Sequence, residues 1–246
     1  MHNYLIKIEY DGTKFVGWQY QKNGISIQEK IEKALKKIFN SKIRINGAGR
    51  TDKGVHAFGQ FANFLLKKKI ENENKFINSI NFFLGKDLIS IIEIKEKKLS
   101  FHARHQAVER IYEYQIVNRQ GSLSIDKNKS WHIKKKIDVN YLKKGAKMLE
   151  GTHDFSTFRA ASCSAKSPIK TMNSVKIKKK GDKILIRFSS KSFLQNQVRS
   201  MVGCLEKIAS KKWNLLKFKK VFKSGKRNLC APPAPACGLY LMDISY

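Results

Sequence analysis

Residues 46–60 read NGAGRTDKGVHAFGQ, and one residue among them could do chemistry. Asp52 is the sole carboxylate between Glu32 and Glu71, in a window that holds ten Lys and Arg. Flanked by Arg50 and Lys53, its carboxyl is expected to stay ionised, because neighbouring cations favour the charged form. An ionised carboxylate can act as nucleophile, base or metal ligand. Taken alone, it is more often a turn residue. A lone carboxylate makes a poor site for a hard cation. The two-carboxylate plan of a glycosidase finds no second acid nearby in sequence. Gly47, Gly49 and Gly54 do not follow G-x-G-x-x-G, and no G-K-[ST] follows them, so a nucleotide cofactor is not expected. The glycines could let the backbone turn tightly beneath an approaching ligand, but three glycines alone more often mark an ordinary hairpin loop.

Other chemistry-bearing residues lie elsewhere. His102 and His105 have neither the spacing of a helical H-x-x-x-H site nor that of a Cys/His zinc site. The six histidines are expected to pack or to touch a nucleic acid, and no Ser-His-Asp arrangement follows from their spacing. ERIYEYQIVN sets Arg110, Tyr112 and Tyr114 on one face of a strand. That face suits a base stacked on an aromatic ring beside a cation, or simply a half-exposed strand. Arg199 interrupts the apolar stripe of LQNQVRSMVG. An arginine near a core needs an anionic partner, and in a chain this poor in acids Asp52 is a candidate.

The elements that must position these groups are legible in outline. NYLIKIEYDG alternates as a strand and turns at Asp11-Gly12. SIQEKIEKALKKIF has a helical stripe of Ile27, Ile31, Ala34, Leu35 and Ile38, with Ser26 as N-cap and Glu29 completing a capping box. KIRING and GVHAFGQFANFLL flank the Asp52 loop as extended segments, and ENKFINSINFFLG reads as a helix ending at Gly85. LISIIEIKEK and ERIYEYQIVN are strands. NYLKKGAKMLEG is a helix, and NSVKIKKKGDKILIRFSS a hairpin turning at Gly181-Asp182. LQNQVRSMVGCLEKIAS is a helix with Leu194, Val198, Met201, Val202, Leu205 and Ile208 on one stripe. NLLKFKKVFKSG is a further helix and CGLYLMDISY a closing strand. The expected plan is α+β, with mainly antiparallel sheet in two similar halves. The division falls near residue 107, giving 1–106 with the Asp52 loop and 107–246.

Composition narrows the function. The chain has 246 residues, 41% hydrophobic and 11% aromatic, as a folded protein does. Fifty Lys and Arg against 19 Asp and Glu leave a net charge of +31. Such a field attracts polyanions, nucleic acid first. Abundant Lys, Ile and Asn also fit A+T-rich coding, but that drift trades Arg for Lys and does not remove acids. No apolar run approaches the ~20 residues that span a bilayer, and MHNYLIKIEYDG lacks the pattern of a signal peptide. Four cysteines without a C-x-x-C pair read as neither a disulfide framework nor a zinc site. A reduced cytoplasm is the expected setting.

GAGRTDKGVHAFGQ resembles the signature of the tRNA pseudouridine synthase A family. FHARH, RIYEY, GTHDFSTFRAASC, FLQNQVRSMVG and GLYL match in the same order, and the likeness runs from YDGTKFVGWQ to the last ten residues. The resemblance implies a pseudouridine synthase fold, two similar halves around a central RNA-binding cleft. It implies isomerisation of uridine to pseudouridine at positions 38, 39 and 40 of the tRNA anticodon arm, by a homodimer without metal or cofactor. By position, Asp52 matches the catalytic aspartate and Arg50 the arginine that assists base flipping. Tyr112 matches the tyrosine that stacks on the target uracil. Arg199 matches the basic partner of the aspartate, and Leu241 an apolar residue lining the pocket. Attack by Asp52 at C1′, attack at uracil C6, and a glycal route all stay open. Lys53 stands where the family usually has Ala, and His105 where an aromatic residue is common.

Two other readings compete. A non-catalytic RNA-binding or assembly protein could retain the same fold, and a metal-dependent nuclease would need clustered carboxylates. If lysine–phosphate contacts carry the binding, affinity for tRNA falls by roughly a thousandfold or more between about 50 and 200 mM salt. Filter binding across that range checks this, and a nearly flat dependence would count against it.

Overall fold

The computed structural model describes residues 1–246. In chain order the elements are β1 (His2–Tyr10), α1 (Ile27–Phe39), β2 (Asn46–Gly47), β3 (His56–Leu66), α2 (Glu73–Leu84), β4 (Ile89–Lys97), β5 (Glu109–Asn118), β6 (Trp131–Ile133), α3 (Val139–Lys147), β7 (Gly151–Asp154), β8 (Ile169–Lys180), β9 (Lys183–Ser190), α4 (Gln197–Ala209), α5 (Leu215–Lys223) and β10 (Leu239–Ser245). Two compact units form: Met1–Val108 with Leu241–Tyr246, and Glu109–Tyr240. Both are α+β with mainly antiparallel strands, and the parallel β5–β6 pair makes the second mixed. The sequence reading keeps residues 107–246 in one half. By packing, Leu241–Tyr246 belong with the first unit, because β10 lies beside β3.

The first unit orders its strands β4-β1-β3-β10, with β2 also on β3. Alternation along β1 turns Tyr4, Ile6 and Ile8 to one buried face. The Ile27, Ile31 and Leu35 stripe of α1 is fully buried, each side chain contributing about 1.5–3 kcal/mol. The aromatic rings of Phe64, Phe76 and Phe39 link β3 and α2 to the end of α1. On the other face Asn63 donates to Asn3 Oδ1 at 3.0 Å, and Asn3 donates to the Phe101 carbonyl at 2.9 Å. The Ala103 N–H donates to Asn63 Oδ1 at 3.0 Å. These two buried amides fix the segment that leads into FHARH.

The second unit orders its strands β5-β9-β8-β7, with β6 on the outer part of β5. The β8–β9 hairpin pairs Lys180 with Lys183, leaving Gly181-Asp182 as the two-residue turn. Phe155, Phe158 and Phe222 pack at tilted angles with ring centroids 5.3–6.2 Å apart. Val198, Met201, Val202, Leu205 and Ile208 of α4 are all buried.

Two boundaries differ from the sequence reading for a reason visible in the structure. KIRING is strand only at Asn46–Gly47, because the Ile45 amide bonds the Glu32 carboxylate at 3.2 Å instead of a strand neighbour. The helix expected from Leu194 begins at Gln197, since Asn196 is left-handed (φ 62°). Leu194 stays buried before it, its N–H donating to Gln197 Oε1 at 2.8 Å. α2 ends where the sequence reading ends it, at Leu84 with Gly85 as its C-cap. The backbone runs on through a 3₁₀ turn, and Leu88 takes the left-handed conformation.

The capping box at α1 is complete. Ser26 Oγ accepts from the Glu29 N–H at 3.2 Å. Hydrogen bonding from Lys33, opposed by burial and aided by the Ser26 N–H, holds the Glu29 carboxyl below its usual range. That contribution is present above the ordinary carboxylate pKa and is lost as pH falls through the lowered value. Ser26→Ala should cost about 1 kcal/mol in urea denaturation with an unchanged m-value. A change below about 0.3 kcal/mol would show that the cap does not hold the helix.

Candidate active site

The Asp52 loop is built from the first unit. β3 leads away from it, and the Ala48 N–H donates to the Phe61 carbonyl at 2.7 Å to anchor its entry. Gln60, fully buried, donates to the Gly49 carbonyl at 3.1 Å. The Trp18 N–H donates to the Thr51 carbonyl at 3.0 Å, and Gly17 bridges Asp52 in antiparallel fashion. The Val55 N–H closes the turn on the Asp52 carbonyl at 3.2 Å. The Tyr10 and Thr51 hydroxyls meet at 2.8 Å in the interior. At the loop's exit the Gly12 N–H donates to Nδ1 of buried His56 at 3.2 Å.

The loop backbone is therefore held on both sides of Asp52, whose side chain is half-buried while Arg50 and Lys53 are exposed. Such a carboxylate has a fixed origin and a solvent-facing approach, which suits attack on a ligand brought to it. Gly54 (φ 77°) lets the chain turn after Lys53. Gly47 plays a different part from the one expected. A Cβ there would stand 2.4 Å from Trp18 Nε1, so its missing side chain admits the indole rather than a ligand.

Leu241, also in the first unit, is fully buried in β10. Tyr112 and Arg199 belong to the second. Arg110, Tyr112 and Tyr114 do share one face of β5, and that face is buried. Tyr114 lies deepest, its hydroxyl donating to the Pro235 carbonyl at 2.7 Å, and burial pushes its phenol up. Tyr112 meets Phe193 edge-on, with centroids 5.1 Å apart. Arg199 is half-buried in the first turn of α4. It donates from Nε to the Ala234 carbonyl at 2.8 Å and from one terminal nitrogen to Asn196 Oδ1 at 3.4 Å. These two bonds fix the orientation of the guanidinium.

His102 and His105 lie with centroids 4.3 Å apart and rings tilted at 51°, and burial together with the His105 and Arg104 charges lowers the His102 pKa. No three His, Cys, Asp or Glu side chains cluster to hold a metal ion. No helix is long and apolar enough to cross a membrane. Sequence reasoning missed Tyr10, Thr51, Gln60 and Trp18 as supports of the loop. Only the position of Tyr10 at the end of the first strand, before Asp11-Gly12, hinted at such a role.

Gly17 (φ 119°) is another close approach in this clamp, where an added Cβ would stand 2.7 Å from the Thr51 carbonyl. Gly17→Ala should destabilise the fold by about 2 kcal/mol or more. Hydrogen exchange should also speed at the Trp18 and Val55 amides, which report the loop. Unchanged protection there would separate Gly17 from the positioning of Asp52.

A family model described as tRNA pseudouridine synthase matches residues 6–106 and 146–246, a span that includes the Asp52 loop, Arg199 and Leu241. A protein named tRNA pseudouridine synthase A from Pelagibacter ubique (strain HTCC1062) is 55% identical over 246 residues, with 100% of both chains covered. Proteins of the same name from Maricaulis maris (strain MCS10) and Beijerinckia indica subsp. indica are 40% and 42% identical. Those matches cover 100% of this chain and 98% and 94% of the relatives. With the family model matched in both halves and relatives aligned from end to end, the chain belongs to the tRNA pseudouridine synthase family.

Proposed function

We propose that this protein isomerises uridine to pseudouridine in tRNA, at positions 38, 39 and 40 of the anticodon stem-loop. The observation that carries this reading is family membership across both halves together with a half-buried Asp52 on a clamped loop. The functional halves are 1–106, with the catalytic loop, and 107–246, which completes a central RNA-binding cleft. The protein works in the cytoplasm as a homodimer and needs no metal or cofactor.

In the reaction the C1′–N1 bond breaks, uracil turns over and C5 bonds to C1′. C5 loses its proton and N1 gains one, so atoms balance without a redox partner. A target base in a helical stem must first leave the stack, and exposed Arg50 assists that step. Tyr112 stacks on the flipped uracil, and Leu241 backs the pocket from its buried position. Asp52 is the nucleophile. Arg199, already oriented by Ala234 and Asn196, pairs with it through a charge-assisted hydrogen bond. The excess of 31 positive charges draws in the phosphate backbone.

Tritium release from tRNA labelled at uridine C5 tests the reading, because the C5–H bond is lost only in the isomerisation. Wild type should release label from the three anticodon-arm positions. Asp52→Ala should lose roughly a thousandfold or more of the rate, with tRNA affinity within about threefold of wild type. Binding without release by wild type would make the protein an RNA-binding module. Release by Asp52→Ala at the wild-type rate would remove Asp52 from the chemistry.

A further inference from the structure

Cys204 and Cys230, 26 residues apart, place their sulfurs 3.5 Å from each other. Cys204 is buried in the middle of α4, whereas Cys230 is half-exposed, just after a 3₁₀ turn at Arg227–Leu229. The Ala231 N–H donates to Cys204 Sγ at 3.4 Å, and Arg227 is fixed by a 2.8 Å hydrogen bond to Ser200 Oγ. The chain from Cys230 to Ala234 is laid along α4. Arg199 and Ala234 exchange backbone and side-chain bonds, and a Cβ at Gly203 would stand 2.2 Å from the Pro232 carbonyl. Pro232, Pro233 and Pro235 stiffen this strap.

The two thiols are electrically unequal. A hydrogen bond from Cys204 holds the Cys230 thiol below its usual range, with Arg227 reinforcing it and burial opposing it. The same hydrogen bond, together with burial, pushes Cys204 up. Of the two, Cys230 is the thiol that ionises more readily, and it is also the half-exposed one, where an oxidant can reach it. Cys163 is also half-exposed. Burial raises its thiol, but hydrogen bonds from the Ala165 and Gln195 amides and the Arg159 charge bring it below its usual range. Burial raises the Cys237 thiol.

We propose that Cys204 and Cys230 are an oxidisable dithiol, a modification site whose co-reactant is a hydroperoxide. The Cys230 thiolate attacks the outer peroxide oxygen. The O–O bond breaks, and the departing alkoxide or hydroxide takes up a proton, leaving a sulfenic acid on Cys230. Cys204 sulfur then attacks Cys230 sulfur. The S–OH bond breaks, and its hydroxide leaves as water with the Cys204 proton. Two thiols become one disulfide, and the hydroperoxide becomes an alcohol, or water, plus water. The sulfurs must close from 3.5 Å to about 2.05 Å, a shift that falls to the exposed partner. The bond would staple the proline strap to the helix that carries Arg199.

The test uses the full reduced chain and one equivalent of hydrogen peroxide, followed by alkylation in denaturant and peptide mass mapping. The expected product joins the Cys204 and Cys230 peptides within one chain, about 2 Da below their summed mass, and dithiothreitol reverses it. It should form about tenfold faster than any oxidation of Cys163 or Cys237. Cys230→Ser should give no joined product and leave Cys204 open to alkylation, while Cys163→Ser should leave the yield unchanged. Alkyl label on both Cys204 and Cys230 after peroxide would overturn the proposal. So would a product joining two chains, or its loss in Cys163→Ser.

Discussion

The contact on which the first unit's chemistry depends is the pairing of the Gly17–Trp18 backbone with Thr51–Asp52. One amide-to-carbonyl bond of 3.0 Å and one antiparallel bridge set where the carboxylate starts. Around it sit the buried Tyr10–Thr51 hydroxyl pair, the Gln60 amide and the indole over Gly47. Each ties the loop to β1, β3 or the segment that precedes α1. A carboxylate held by backbone bonds loses little freedom when a ligand arrives, which is the physical content of preorganisation. The core beneath the loop, from Ile6 and Ile8 to Ile27 and Ile31, supplies the rigidity that those bonds need.

The scarce acids are distributed with a purpose that charge counting alone does not show. Asp11 accepts from the Thr13 N–H, Asp138 from Asn140 and Tyr141, and Asp154 from Ser156. Glu32 takes the Ile45 amide and Glu150 takes that of Val175. Glu113, nearly buried, holds Arg187 at 3.0 Å. Acids at such posts resist a drift toward lysine, because removing them leaves backbone donors at turns and helix starts without their acceptor. Most of the lysines lie exposed, though Lys33 pairs with Glu29 and Lys30 with Asp87.

Much of this was legible in the sequence where one local rule acts alone. Ser26 with Glu29, the Gly181-Asp182 turn and the apolar stripe of α4 are short-range signals, and each appears where its pattern lies. The rest depends on partners distant in sequence. Glu32 captures Ile45 across 13 residues and so keeps KIRING irregular. β6 and β7, of three and four residues, are too short to carry a period and exist because β5 and β8 offer them an edge. Asp52 and Arg50 were visible because an acid among cations is conspicuous. Tyr10, Thr51 and Gln60 were not, because nothing in their own neighbourhoods shows that three strands and a loop bring them together.

The position of Leu241–Tyr246 in the first unit has a consequence for how the chain is made. A ribosome emits β1 to β4 early, yet the strand beside β3 emerges only after all of Glu109–Tyr240 has followed. At about 5–20 residues per second this interval lasts roughly 7–25 s. During it the side of β3 that β10 later covers is paired only where β2 meets it, and the rest invites foreign strands. Gly59, Phe61 and exposed Leu65 lie on that strand. Vectorial synthesis thus leaves the unit that carries Asp52 unfinished until Leu241–Tyr246 have followed, and makes the nascent chain more vulnerable to misassembly than the folded protein.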